Sequence, residues 1–130
     1  MARILIIDDD PLVRQTVRTM LEKAPHEVDE AADGGAGLER VRQFRPDLAL
    51  TDILMPYQDG IEFIIQLRRI DPDVKVLAMS GGGRFEPGQL LLVAKALGAD
   101  DYIAKPFTKH ALLTKVSACL DAPAATAATA

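Results

Sequence analysis

The stretch RILIIDDDP, residues 3–11, decides the fold. Arg3–Ile7 is a short, unbroken apolar run of the kind that forms a strand buried on both faces. Asp8, Asp9 and Asp10 end it. Asp10 is a good helix N-cap, and Pro11 suits the first helical position because its missing N–H would be unpaired there anyway. Val13, Val17, Met20, Leu21 and Ala24 then recur at helical spacing and lay one apolar stripe, until Pro25 stops the helix.

Working outward, strand and helix keep alternating. Glu27–Ala31 is a weaker strand, Asp33-Gly34-Gly35 a turn and Ala36–Phe44 a second helix. Pro46-Asp47 restarts an extended segment, Leu48–Asp52. Residues 55–60 form a loop, and Ile61–Ile70 a third helix with Ile61, Ile64, Ile65, Leu67 and Arg68 facing inward. Asp71-Pro72-Asp73 breaks it before a strand at Val74–Met79. Gly81–Gly83 opens a loop, Gln89–Leu97 is a fourth helix, and Gly98 is its stop signal. Tyr102–Ala104 is a fifth strand, and Thr108 caps a last helix reaching about Leu120. Residues 122–130 (APAATAATA) are uncharged and low in complexity, which predicts a disordered tail or linker stub.

Strand followed by helix, repeated in this way, implies an α/β fold: a parallel sheet covered by helices on both faces, with right-handed crossovers. Ligands in such sheets bind beyond the carboxyl ends of the strands. Asp8 and Asp9 end the first strand, Asp52 the third, Ser80 the fourth and Lys105 the fifth. Three carboxylates brought together repel one another and demand positive charge. Lys105 supplies one such charge, and a divalent cation that prefers oxygen ligands, Mg²⁺ foremost, would supply the rest. A serine hydroxyl and a lysine ammonium beside such a carboxylate suit phosphoryl transfer, where they meet charge on the phosphoryl oxygens.

The chain has 130 residues, one domain's worth. Hydrophobic residues make up 48% and charged residues 26%, an ordinary globular composition. Acids outnumber bases by 19 to 15, and no basic run is present, which argues against nucleic acid as a partner. The single cysteine, Cys119, rules out an internal disulfide and reads as a small buried hydrophobe in a reducing compartment. The N-terminal apolar run is too short for a signal peptide or a membrane span. The expected setting is cytoplasmic, with no membrane partner. His26 and His110 are expected at the surface.

ILIIDDDPLVR, PDLALTDILMPYQDGIEF and YIAKPF, in this order and spacing and with a serine ending the fourth strand, resemble the receiver domain of two-component response regulators. The resemblance covers about residues 3–121 and implies a flavodoxin-like (βα)5 sheet in strand order 2-1-3-4-5. It implies that residues 1–121 form the domain and that Asp52 is the phosphoacceptor, a carboxylate nucleophile. Asp9 would bind Mg²⁺ (or Mn²⁺) directly, Asp8 directly or through a water, and Asp52 and the Leu54 carbonyl would complete the protein ligands. Ser80 would hydrogen-bond the phosphoryl group, and Lys105 would pair with it and, beforehand, with Asp52. Lys105-Pro106 is often a cis bond in this family. Tyr102 resembles the aromatic that swings inward with Ser80; a half-buried strand aromatic with no switching is the alternative.

The implied phosphoryl donor is a histidine kinase or a histidine phosphotransfer protein. The implied output is binding of a downstream protein, or onward relay, by a monomer or weak dimer that is not a conventional turnover enzyme. No output domain follows Leu120, so a stand-alone receiver is expected. Leu91, Lys95 and Tyr102 mark the expected partner face on the fourth helix. There Leu91 and Leu92 lie off the buried stripe of Leu90, Val93, Ala94 and Leu97, unless that stripe is simply wide. The family positions two past the acceptor and two past the hydroxyl are Leu54 and Gly82. Neither side chain can hold an attacking water, which predicts slow loss of the phosphoryl group. Two other readings stay open: a phosphatase of the haloacid-dehalogenase type using Asp8, although Leu12 departs from that motif, and a receiver-like scaffold that is never phosphorylated.

Overall fold

Runs of apolar residues bounded by acids and prolines become strands, and the amphipathic segments between them become helices. The computed structural model describes residues 2–53, 55–56, 59–81 and 87–122, with the side chains of residues 87, 88, 90 and 91 left aside. The order is β1 (Arg3–Ile7), α1 (Pro11–Glu22), β2 (Glu27–Ala31), α2 (Gly34–Phe44), β3 (Leu48–Asp52), α3 (Asp59–Ile70), β4 (Lys75–Ser80), α4 (Pro87–Leu97), β5 (Asp101–Ala104) and α5 (Lys109–Asp121). All strand pairs are parallel and the sheet order is β2-β1-β3-β4-β5, as the resemblance implied.

Alternate residues of each inner strand serve opposite faces, and both faces are covered. Leu5, Ile7, Ala49, Val76 and Ala78 pack with Phe44, Phe63, Ile64 and Leu67 on the side of α2, α3 and α4. Ile4, Ile6, Leu48, Leu50, Leu77 and Met79 pack with Val17, Leu21, Leu112 and Val116 from α1 and α5. Each buried aliphatic or aromatic side chain is worth about 1.5–3 kcal/mol of transfer free energy. Among the described residues, no helix is long and apolar enough to cross a membrane.

The caps follow the sequence closely. Asp10 accepts from the Leu12 N–H, Asp33 from the Ala36 N–H and Thr108 from the Ala111 N–H. Gly98, past the end of α4, has φ +103, a backbone conformation that L side chains rarely adopt. Several expectations need correction. α1 ends at Glu22, not beside Pro25, because the Ala24 and His26 N–H groups both turn back to the Leu21 carbonyl. α3 starts two residues earlier than expected, at Asp59, and buries Phe63 with Ile64 and Leu67, whereas Ile65 is only half-buried. β4 is shifted by one residue, Lys75–Ser80 in place of Val74–Met79, and the Ser80 carbonyl accepts from the Lys105 N–H. His26 is less exposed than expected: it is half-buried, and its Nδ1 accepts from the Ala2 N–H at 3.1 Å.

Candidate functional site

The carboxyl ends of β1, β3, β4 and β5 converge because the sheet is parallel and its central strands are in register. Asp8 follows β1 and is fully buried. One of its oxygens, Oδ1, accepts from the Asp10 N–H at 2.9 Å, and the other, Oδ2, from Lys105 Nζ at 2.6 Å. Asp52 ends β3 with 7% exposure, and its Oδ2 accepts from Lys105 Nζ at 3.0 Å. Asp9 is exposed at the rim. Ser80, at the end of β4, is buried. Lys105 and Pro106 are joined by a cis peptide bond.

One ammonium thus bridges two carboxylates that are 97 and 53 residues away in sequence. Burial alone pushes the Lys105 pKa down, but the hydrogen bonds and charges of Asp8 and Asp52 outweigh it, and the pKa lies above its ordinary value. The Asp8 carboxyl is raised. Burial is the larger influence there, against the opposing pull of Lys105 and the Asp10 N–H, and the Asp52 charge adds to the rise. With Asp9 at the rim, three carboxylates and one ammonium share the pocket.

The donor set fits a hard divalent cation. Asp8, Asp9 and Asp52 each offer a carboxylate oxygen, and these atoms lie within 4.8 Å of one another. Oxygen-only ligation of this kind suits Mg²⁺ or Mn²⁺. Leu54, the expected carbonyl ligand, and Gly82 lie outside the described residues.

The other expected residues are spread around this pocket. Gly60, at the start of α3, lies so close to β3 that a Cβ there would fall 1.8 Å from the Asp52 carbonyl oxygen. Any side chain would displace the strand end that carries Asp52. Tyr102 is half-buried against the α2–α3–α4 core, and Lys115 Nζ sits 5.1 Å from its ring centroid. Lys95 is exposed on α4, Leu92 is 71% exposed, and the side chain of Leu91 lies outside the described residues. His110 is exposed and Cys119 buried, as expected, and burial pushes the Cys119 thiol up to about 11.

Two features escaped the sequence reading. Lys105 is held by Asp8 as well as by Asp52, a contact with no local signature. Arg14, on the first turn of α1, donates through Nη1 to the Asp8 carbonyl at 2.7 Å. Its place four residues before Arg18 (both polar in an amphipathic helix) was the available hint.

Comparison with known proteins bears on the whole chain. The family model of the response regulator receiver domain matches residues 4–117. The DNA-binding dual master transcriptional regulator RpaA of Synechocystis sp. is 38% identical over 122 residues, covering 92% of this chain and 49% of that protein. The chain spans about half the length of the first curated relatives it matches. The chemotaxis protein CheY of Halobacterium salinarum is 33% identical, covering 92% of this chain and 98% of that protein. Among solved structures, the Vibrio cholerae chemotaxis protein CheY4 superposes with a TM-score of 0.83 at 30% identity, covering 92% of this chain and 98% of that one.

Proposed function

The chain belongs to the response regulator receiver domain family, and from that premise we propose that Asp52 accepts a phosphoryl group from the phosphohistidine of a histidine kinase or a histidine phosphotransfer protein. The observation that carries this reading is the Lys105 ammonium lying between the Asp8 and Asp52 carboxylates at the sheet edge. An Asp52 oxygen attacks phosphorus as the P–N bond to the donor imidazole breaks, and the bonding pair leaves with the imidazole. Lys105 then moves its hydrogen bond from the Asp52 carboxylate to a phosphoryl oxygen, and the Ser80 hydroxyl donates to another. Asp8, Asp9 and Asp52, with the Leu54 carbonyl, would hold Mg²⁺ (or Mn²⁺), which supplies positive charge to screen the carboxylates from the incoming phosphoryl group.

Residues 1–121 are taken as the domain, with a cytoplasmic setting. We take the donor to dock at the apolar groove lined by Leu12, Val13, Met20, Pro106 and Phe107, together with Gly81 and Lys105. We take the output side to be α4 and β5, at Leu91, Lys95 and Tyr102; Leu92, also on α4, is exposed. A downstream protein binding there in response to phosphorylation is the proposed output. The DNA binding in the name of RpaA stays with that protein.

A phosphatase reaction at Asp8 is less well supported, because Asp8 is fully buried and both its oxygens accept hydrogen bonds. Intact-mass measurement after incubation with acetyl phosphate and Mg²⁺ separates the two. The wild-type chain should gain one phosphoryl group and Asp52→Asn none. Labelling that persists in Asp52→Asn and vanishes in Asp8→Asn would reverse the assignment.

A further inference from the structure

The acidic pocket depends on a turn at the very end of the strand ladder. Residue pairing of β1 with both neighbours ends at Ile7, and the Asp8 N–H adds one last bond, to the Ala31 carbonyl of β2 at 3.2 Å. Within the turn, the Asp10 N–H binds Asp8 Oδ1 and the Leu12 N–H binds Asp10 Oδ1, each at 2.9 Å. Arg14 reaches back from α1 and donates Nη1 to the Asp8 carbonyl, while its Nε donates to Glu30 Oε1 at 3.2 Å. Glu30 sits on β2 and also pairs with Arg18. Arg18 sends Nη2 to the Val28 carbonyl at 2.9 Å and pairs its Nε with Glu22, away from the turn.

We propose that Arg14 is a positioning residue for the cation site: steered by Glu30, its guanidinium holds the Asp8 carbonyl and so fixes the directions of the Asp8 and Asp9 carboxylates. The proposal rests on reading Asp8, Asp9 and Asp52 as a cation-dependent phosphoacceptor pocket. Partners that orient metal ligands commonly matter about tenfold or more to metal affinity. The sign of the effect identifies the mechanism. If Arg14 acted only as a nearby positive charge, removing it would tighten cation binding. If it positions the turn, removing it weakens binding.

Isothermal titration with Mg²⁺ alone tests this. Arg14→Met should raise the Mg²⁺ dissociation constant about tenfold, in line with the cost of lost supporting shells. Arg18→Met, which disturbs the same glutamate but not the turn, should leave it within about twofold. Arg14→Lys should recover part of the loss, since an ammonium reaches one acceptor but cannot span both Asp8 and Glu30 as the guanidinium does. In the metal-free protein, the Asp10 amide proton resonance reports its bond to Asp8 Oδ1. It should move toward its unbonded value in Arg14→Met and stay in place in Arg18→Met. Unchanged or tighter Mg²⁺ binding in Arg14→Met overturns the proposal. If the wild-type protein binds no Mg²⁺, the cation reading fails and the cation-site proposal falls with it, and the Asp10 resonance then tells only whether Arg14 holds the turn. If Arg14→Met does not fold, Glu30→Gln, which loosens the guanidinium without removing it, should weaken Mg²⁺ binding more than Arg18→Met does. Equal effects of those two variants overturn the proposal.

Discussion

Lys105 is the residue on which the pocket turns. Its single ammonium pairs with two buried carboxylates at once. Removing one member of a buried ion pair commonly costs about 3–5 kcal/mol, because the remaining charge is stranded. Lys105→Met should therefore lower the stability of the metal-free protein by roughly 3 kcal/mol, and saturating Mg²⁺ should restore part of it. Urea unfolding with and without Mg²⁺ checks this; an unchanged midpoint in the metal-free variant would contradict it. His26 offers a separate titration. Burial, and then the charge of the N-terminal amino group, holds its pKa below the ordinary 6.5. The folded state thus prefers the neutral ring that accepts from Ala2. A base with a lowered folded pKa contributes its full stability above the unfolded value of 6.5 and loses it as pH falls from there through the folded value. Between pH 8 and pH 5 the wild-type protein should lose more urea resistance than His26→Gln; equal losses would contradict this.

At the scale of elements, the helix ends hold the clearest leverage. Arg45 follows α2 with φ 52, in the left-handed region, and its side chain is exposed. Arg45→Gly should relieve that conformation and stabilise the protein by about 0.5–1 kcal/mol, seen as a higher melting temperature. A lower one would show that the arginine makes a compensating contact. The elements were largely legible in the sequence because their boundaries are chemical. β1, β2 and β3 start and stop where expected: acids, prolines and turn residues bracket the apolar runs of β1 and β3, and Pro25 and Asp33-Gly34-Gly35 flank β2. The start of α3 was missed because Asp59-Gly60 reads as loop, whereas the glycine is there for close approach to the Asp52 carbonyl. Ser80 is the end of the fourth strand in both readings, and its pairing with Ala104 of β5 is what makes it part of β4. The pocket was legible as a set of strand-end residues once a parallel sheet was inferred. The bridge from Lys105 to Asp8, the clasp of Arg14 and the hydrogen bond to His26 were not, because they depend on side-chain reach across long sequence separations.

At the scale of the molecule, the sheet delivers acids from β1 and β3, a hydroxyl from β4 and an ammonium from β5 to one edge, and the two helical layers hold that edge rigid. A cation that binds only this folded arrangement must stabilise it by mass action. At about a hundred times its dissociation constant, Mg²⁺ should add about 2.7 kcal/mol, roughly a 10 °C rise in melting temperature. Excess chelator should reverse the rise, and Asp9→Asn should shrink it; no shift with Mg²⁺ would contradict the cation site. The central claim is that Asp52 carries the phosphoryl group, and it is tested most directly by locating the acyl phosphate. After acetyl phosphate and Mg²⁺, borohydride reduces a phosphorylated aspartate to an alcohol that peptide mass spectrometry can place. Reduction at Asp52 alone is the predicted result; reduction at Asp8 or Asp9, or no reduced residue in a folded, Mg²⁺-bound protein, would contradict it.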